Sequence, residues 1–240
     1  MIRWENAPGP YDVVFSTREG GVSEGPFASL NLGRATADEP ERVDENRRRL
    51  CAEVGADPDA LSMNYQHHSA DVLKARPGAR GDRADGLWTD ERGLPVLALA
   101  ADCLPIALAR ANALERANGR EPALAVLHAG WRGLLGGIAA SGVAALDGGL
   151  VAAVIGPGIG PCCYDVGEEV ATQYRRAFGL GLVQNGRLDL WSAAERALRA
   201  AGCVRVDRVD LCTACNPDRF FSHRRDDGLT GRQGVLGTIA

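Results

Sequence analysis

The run Ala123-Leu124-Ala125-Val126-Leu127 is apolar at every position, is bounded by Pro122, and leads directly into His128-Ala129-Gly130-Trp131-Arg132-Gly133. A run this short and uninterrupted suits a strand buried on both faces, because a strand wetted on one side would alternate with polar residues. Leu94 to Ala100, which Ile106 to Ala109 continues, and Val151 to Ile155 read in the same way. The chain is therefore committed to sheet that is covered above and below. His128 stands at a strand end, where Gly130 and Gly133 remove bulk from the turn and Leu134 to Ala140 open a helix whose first amides point back toward it. A helix start beside Arg132 favours an anion such as phosphate. The alternative reading of His128 is a core histidine at a tight strand-to-helix turn.

No shift in composition marks a linker across the 240 residues, so residues 1–240 are expected to form one domain. A formal charge of -4 argues against a nucleic-acid binder, which needs a basic stripe to neutralise phosphates. Met1 to Pro10 carries Arg3 and Glu5 and has no apolar core of the kind a signal peptide requires. The longest apolar stretch, Leu94 to Ala109, is broken by Asp102 and two prolines and is too short to cross about 30 Å of hydrocarbon as a helix. The expectation is a soluble, cytoplasmic chain with no membrane partner. Seven cysteines in such a chain are read as free thiols or metal ligands, not as a disulfide framework.

Local signals place several elements around the buried strands. Val13 to Phe15 is a short strand before the glycine-rich turn Ser16 to Ser23. Asp38 and Pro40 open a helix that Gly55 closes, with Arg47, Arg48 and Arg49 on what reads as a solvated face. Asp165 with Glu168, and Ser192 with Glu195, have the spacing of capping boxes, and Asn185-Gly186 signals a hairpin. Asn112 to Glu121 reads as a polar loop returning the chain to its sheet. Val204 to Leu211 alternates as a half-buried strand that leads to Cys212-Thr213-Ala214-Cys215. That Cys-x-x-Cys is a weak metal signal without a second pair, and Cys162-Cys163 is oddly spaced for one, so these thiols are read as structural.

The chemistry-bearing constellation is His68, Cys103 and His128. Two imidazoles and a thiolate are a borderline-soft set that suits zinc, and three protein ligands leave the fourth tetrahedral position open, as a catalytic site requires. The rival is a Cys103 nucleophile with His128 as its base. His67 and His68 are adjacent on what reads as an extended segment, so they should point to opposite sides.

Phe15-Ser16-Thr17-Arg18 with Gly20-Gly21-Val22-Ser23, Ser29-Leu30-Asn31-Leu32-Gly33, Glu45-Asn46-Arg47, Gln66-x-His68, Ala101-Asp102-Cys103-Leu104-Pro105, His128-Ala129-Gly130-Trp131-Arg132-Gly133, Ile155-Gly156-Pro157 and Phe221-Ser222-His223-Arg224-Arg225 together resemble the laccase-domain family. That family, once called polyphenol oxidases, is described as purine nucleoside phosphorylases and includes bacterial peptidoglycan editing factors. The resemblance runs nearly end to end.

It implies an α+β fold of four layers, α/β/β/α, with helices outside two packed, mixed and largely antiparallel sheets. It also implies zinc on His68, Cys103 and His128, and phosphorolysis of adenosine, inosine, guanosine and methylthioadenosine with adenosine deamination beside it. The partners are then a purine nucleoside and phosphate, in a monomer or small homo-oligomer. Catalytic candidates are Cys103, His68, His128 and Asp102, the last as a proton shuttle. Candidates for substrate or phosphate are Arg132, Asn31, Arg47 and Gln66. A peptidoglycan-editing hydrolase is the alternative. A copper-bearing polyphenol oxidase is disfavoured, since a multicopper centre draws on about ten imidazoles and the chain has four histidines.

Overall fold

The structure, a computed structural model, describes residues 1–111 and 121–240. The expected return loop at Asn112 to Glu121 therefore lies, up to residue 120, outside the described residues.

Fourteen strands, five α-helices and one short 3-10 helix, Gly25–Phe27, are seen among them. In chain order the strands are β1 (Ile2–Arg3), β2 (Tyr11–Phe15), β3 (Ser62–Tyr65), β4 (Val72–Lys74), β5 (Arg80–Arg83), β6 (Gly86–Thr89), β7 (Val96–Ala100), β8 (Leu104–Arg110), β9 (Leu124–Ala129), β10 (Val151–Ile155), β11 (Val183–Gln184), β12 (Arg187–Leu188), β13 (Cys203–Arg208) and β14 (Gln233–Ile239). The helices are α1 (Pro40–Ala52), α2 (Trp131–Gly136), α3 (Ile138–Ala145), α4 (Glu168–Phe178) and α5 (Leu190–Ala200).

Two six-stranded sheets carry the fold, ordered β1-β2-β14-β7-β3-β5 and β13-β10-β8-β9-β6-β4. Both mix parallel and antiparallel pairs. Val13, Phe15, Val96 and Ala98 of one sheet meet Ala107, Leu124, Val126 and Val154 of the other in a dry layer between them. The outer face of the second sheet is covered by the helical residues Leu134, Ile138, Tyr174 and Leu198. On the outer face of the first, Leu50 and Cys51 of α1 pack against Leu97 and Leu236. This is the four-layer α/β/β/α arrangement. The uninterrupted runs follow from it, because β8, β9 and β10 are apolar on both faces and both faces are covered.

Several local expectations are corrected. Ile106 to Ala109 does not continue the strand before it: β7 and β8 lie in different sheets, and the chain changes sheet across Ala101 to Cys103. Arg47 is not on a solvated face but buried, with Nε and a terminal nitrogen donating to the Leu32 carbonyl. The Asp165 side chain caps nothing, since α4 starts after Gly167 and Asp165 accepts from Arg187 instead. The cap of α5 is Asp189, which takes the Ser192 amide at 3.0 Å, while Glu195 pairs with Arg199 and Arg208. The hairpin at Asn185-Gly186 forms, both residues having positive φ (51° and 74°) as that turn demands. No helix among the described residues is long and apolar enough to cross a membrane.

Candidate functional site

Strand register delivers the three ligand-type side chains to one place. Ala129 pairs with Leu104 and His128 with Pro105, so the end of β9 lies beside the start of β8, and Cys103 immediately precedes that start. On the other flank Gly86 pairs with Leu127, and the His128 amide donates to the Asp85 carbonyl at 2.7 Å. His68 arrives from the loop after β3. Its Nε2 lies 3.9 Å from Cys103 Sγ, its ring meets the His128 ring edge-on at 4.9 Å between centroids, and one ligand atom from each of the three residues falls within 4.8 Å of the others. Such a group can hold a metal ion.

Gly130 makes this possible. A Cβ there would stand 2.9 Å from both Cys103 Sγ and the His68 ring, closer than real Cβ atoms come, so any side chain would push the ligands apart.

The reason first expected for His68 is corrected, although its place in the cluster is as anticipated. His67 and His68 are not on an extended strand: β3 ends at Tyr65, and His68 takes φ of 65°, in the left-handed region. A buried carboxylate fixes that turn. Asp85 accepts the amides of His67 (3.1 Å), His68 (2.9 Å) and Ser69 (2.7 Å), the Ser69 hydroxyl (2.8 Å) and His128 Nδ1 (2.8 Å). One side chain thus sets the loop that carries one ligand and the ring orientation of another, leaving Nε2 of His128 for the cluster. Sequence reasoning missed Asp85. Its only trace was Asp85-Gly86 opening a strand opposite His128, which is visible only once register is known.

The electrostatics are mutual. Loss of water would raise the Cys103 thiol, but His128 first and then His68 bring it down to about 6. Burial would likewise lower His128, yet the Cys103 sulfur and the Asp85 carboxylate outweigh it and raise the ring to about 9. Asp85 would be raised by its own burial, and the donors from His128, Ser69 and His67 instead hold it well below the usual carboxylate range.

His68, Cys103 and His128 line a cavity of about 660 Å³, whose wall also includes Gln66, Tyr164, Arg47, Arg80, Arg224 and Arg232. Gln66 is pinned to β7, accepting from the Leu99 amide and donating to its carbonyl. Asn31 is wholly buried and outside the cavity, bracing the Gly33 and Arg232 amides with its side-chain oxygen. Arg132 is not part of the cavity wall; it is exposed and stacked on Trp131, 4.2 Å from the ring centroid. Asp102 is at the cavity, but its carboxylate oxygens are taken by the Thr213 hydroxyl and the Arg224 amide, both at 2.6 Å. The runs Phe220 to Asp226 and Thr230 to Arg232 read in the sequence either as a source of cations for an anionic substrate or as a charged surface turn, and from them Arg224 and Arg232 line the cavity.

Comparison with known proteins adds a family. The model of the family described as multi-copper polyphenol oxidoreductase laccase matches residues 12–239. The chain is 35% identical to the purine nucleoside phosphorylase YlmD of Geobacillus stearothermophilus, over 90% of this chain and 86% of that one. It is 36% identical to the purine nucleoside phosphorylase PA4543 of Pseudomonas aeruginosa, over 96% and 94%. The crystal structure of YlmD from Geobacillus stearothermophilus superposes with a TM-score of 0.86, covering 97% of this chain and 93% of that one at 33% identity.

Proposed function

We propose a function from one premise: the chain belongs to the multi-copper polyphenol oxidoreductase laccase family. It is a zinc-dependent purine nucleoside phosphorylase that also deaminates adenosine. The observation that carries this reading is the convergence of His68, Cys103 and His128 on a cavity ringed by arginines, in a chain whose relatives are named purine nucleoside phosphorylases.

Two imidazoles and a thiol already pulled toward thiolate, with one imidazole oriented by Asp85, fit zinc in chemistry and number. When bound, zinc supplies Lewis acidity able to bring the pKa of a water down to about 7, as deamination needs. The chain's own groups do the rest. Arg232 and Arg47, both largely buried at the cavity, together with Arg80 and Arg224 offer fixed positive charge where phosphate must be held against the ribose. Arg132, exposed on Trp131, gives up that role to them. Tyr164 and Ile159 provide apolar surface against which a planar base can lie. Asp102, with both oxygens engaged, holds the turn that presents Cys103 and is not the proton carrier. An oxygen of the phosphate held by the arginines then bonds to the anomeric carbon of the ribose as that carbon's bond to the purine nitrogen breaks, and the base on the apolar wall leaves with a proton taken from solvent.

Incubating the pure chain with adenosine, with and without phosphate, and resolving adenine, inosine and hypoxanthine tests this directly. Adenine that appears only with phosphate supports phosphorolysis, and inosine without phosphate supports deamination. Neither product, from protein carrying zinc, sinks the reading.

A further inference from the structure

Among the described residues, one other group of ligand-type side chains converges, well apart in sequence from His68, Cys103 and His128. Cys162 and Cys163 follow β10, and Cys212 and Cys215 follow β13; all four Sγ atoms lie within 4.8 Å of one another. Cys215 Sγ is 3.4 Å from that of Cys162 and 3.3 Å from that of Cys163. The Gly160 amide donates to Cys212 Sγ at 3.3 Å. The sequence spacing gave no reason to join these pairs, and the structure supplies it: β10 and β13 are parallel neighbours, and the loops beyond them stay in register through Gly158 and Cys212. Thr213 donates its amide to the Gly158 carbonyl at 3.1 Å, which completes the join.

We propose that these four cysteines form a second metal site, a structural zinc held by four thiolates. Zinc–sulfur bonds of about 2.3 Å in a tetrahedron set neighbouring sulfurs about 3.8 Å apart, which is the scale seen here. A disulfide would draw one pair to about 2.05 Å and leave two sulfurs with no reason to stay. An iron–sulfur cluster, a body of several atoms, would spread its thiolates further than a single ion does. Four soft donors on one point select a tetrahedral thiophilic ion, and with four protein ligands no position remains for substrate. Zinc entering the site displaces the thiol protons to solvent, so its energy is spent on closing the two loops. Those loops support the active centre: Thr213 holds Asp102 through its hydroxyl, and the Ile159 amide donates to the Asp102 carbonyl at 2.8 Å. The sequence reads these thiols as structural, and the proposal keeps that role while giving it to a bound ion.

The test is metal stoichiometry in the full chain purified without added metal, together with the absorption spectrum after reconstitution with cobalt(II) alone. Wild type is expected to hold two zinc ions, and His68→Ala one, with the intense sulfur-to-cobalt charge-transfer bands of a tetrathiolate intact. Cys212→Ser with Cys215→Ser should lose one ion and those bands, whereas Cys51→Ser, a buried thiol elsewhere, should lose neither. If the double variant does not fold, wild type and His68→Ala still decide. One ion in wild type with none in His68→Ala, a disulfide among the four cysteines in non-reducing peptide maps, or iron in place of zinc would each overturn the proposal. None of these outcomes depends on nucleoside turnover, so the site stands or falls separately from the proposed activity.

Discussion

Two loops bring ligands to the cavity, and each is set by a buried aspartate, yet the two aspartates do different work. The loop of His68 is held by Asp85, whose carboxylate lies 17 positions further along the chain and gathers three successive amides, a hydroxyl and the Nδ1 of His128. The loop of Cys103 is held by its own neighbour Asp102, which takes φ of 87° and fastens to Thr213 and Arg224. Asp85 therefore touches a ligand and sets its tautomer. The Asp102 carboxylate binds no ligand side chain; it fastens the turn to Thr213 and Arg224 and reaches Cys103 only through the peptide bond between them. Adjacency to a ligand in sequence is a poor guide to function; adjacency across a sheet, which register creates, is a better one.

The largest effect expected on this contrast comes from removing a ligand itself. His68→Ala and Cys103→Ala leave two protein ligands at the cavity, too few for a stable site, so both should lose most of the metal held there and most phosphorolysis. Elemental analysis beside adenosine turnover checks this. Full activity in either variant would show that the cluster is not the reacting centre and would leave the comparison of the loops without a functional meaning.

Asp85→Asn comes next. The substitution keeps the size but removes the charge that orients His128, and it places an amide N–H where a backbone N–H already points. Metal affinity at the cavity should fall about 10- to 100-fold, the usual cost of losing a partner that orients a ligating histidine. A competitive chelator titration reads this. Unchanged affinity would reduce Asp85 to the purely structural role assigned to Asp102.

Asp102→Asn should behave differently. One oxygen still accepts from Thr213, while the Arg224 amide, a part-buried donor, loses its carboxylate at a cost of about 1 kcal/mol, the low end for an unsatisfied group. The expected outcome is a lowered Tm with metal content unchanged. Metal loss equal to that of Asp85→Asn would erase the distinction between the two aspartates.

Much of this was legible beforehand and some could not have been. The uninterrupted runs of β8, β9 and β10 announced sheets covered on both faces, and the two short motifs around Cys103 and His128 announced the cluster. β14, buried along its whole length between β2 and β7, left little trace, because Gly234 and Gly237 dilute its apolar pattern. The reason lies in packing: a Cβ at Gly234 would meet the Ala98 carbonyl at 2.3 Å, so the position needs glycine and gives up strand propensity for it. The buried Arg47 was obscured for a similar reason, since its burial depends on the Leu32 carbonyl, a backbone acceptor without sequence identity.

The smallest effect expected is at His67, which sits in the Asp85 loop beside a ligand without being one. Its contribution to the loop is its backbone amide, given to Asp85 Oδ2 at 3.1 Å, and alanine retains that amide. Its ring is only part-exposed, with Nδ1 3.5 Å from the same oxygen, too long for a hydrogen bond of normal strength. Truncation therefore removes a weak contact and some packing but leaves the three amides on Asp85, the left-handed turn at His68 and the approach of its Nε2 to Cys103 in place. His67→Ala should keep its metal and change adenosine phosphorolysis by no more than about tenfold, or 1.4 kcal/mol of barrier. The measurement is metal content and turnover of His67→Ala and His68→Ala side by side. A reversed result, with metal lost from His67→Ala and kept by His68→Ala, would move the ligand by one residue and mean that the turn fixed by Asp85 presents the other ring.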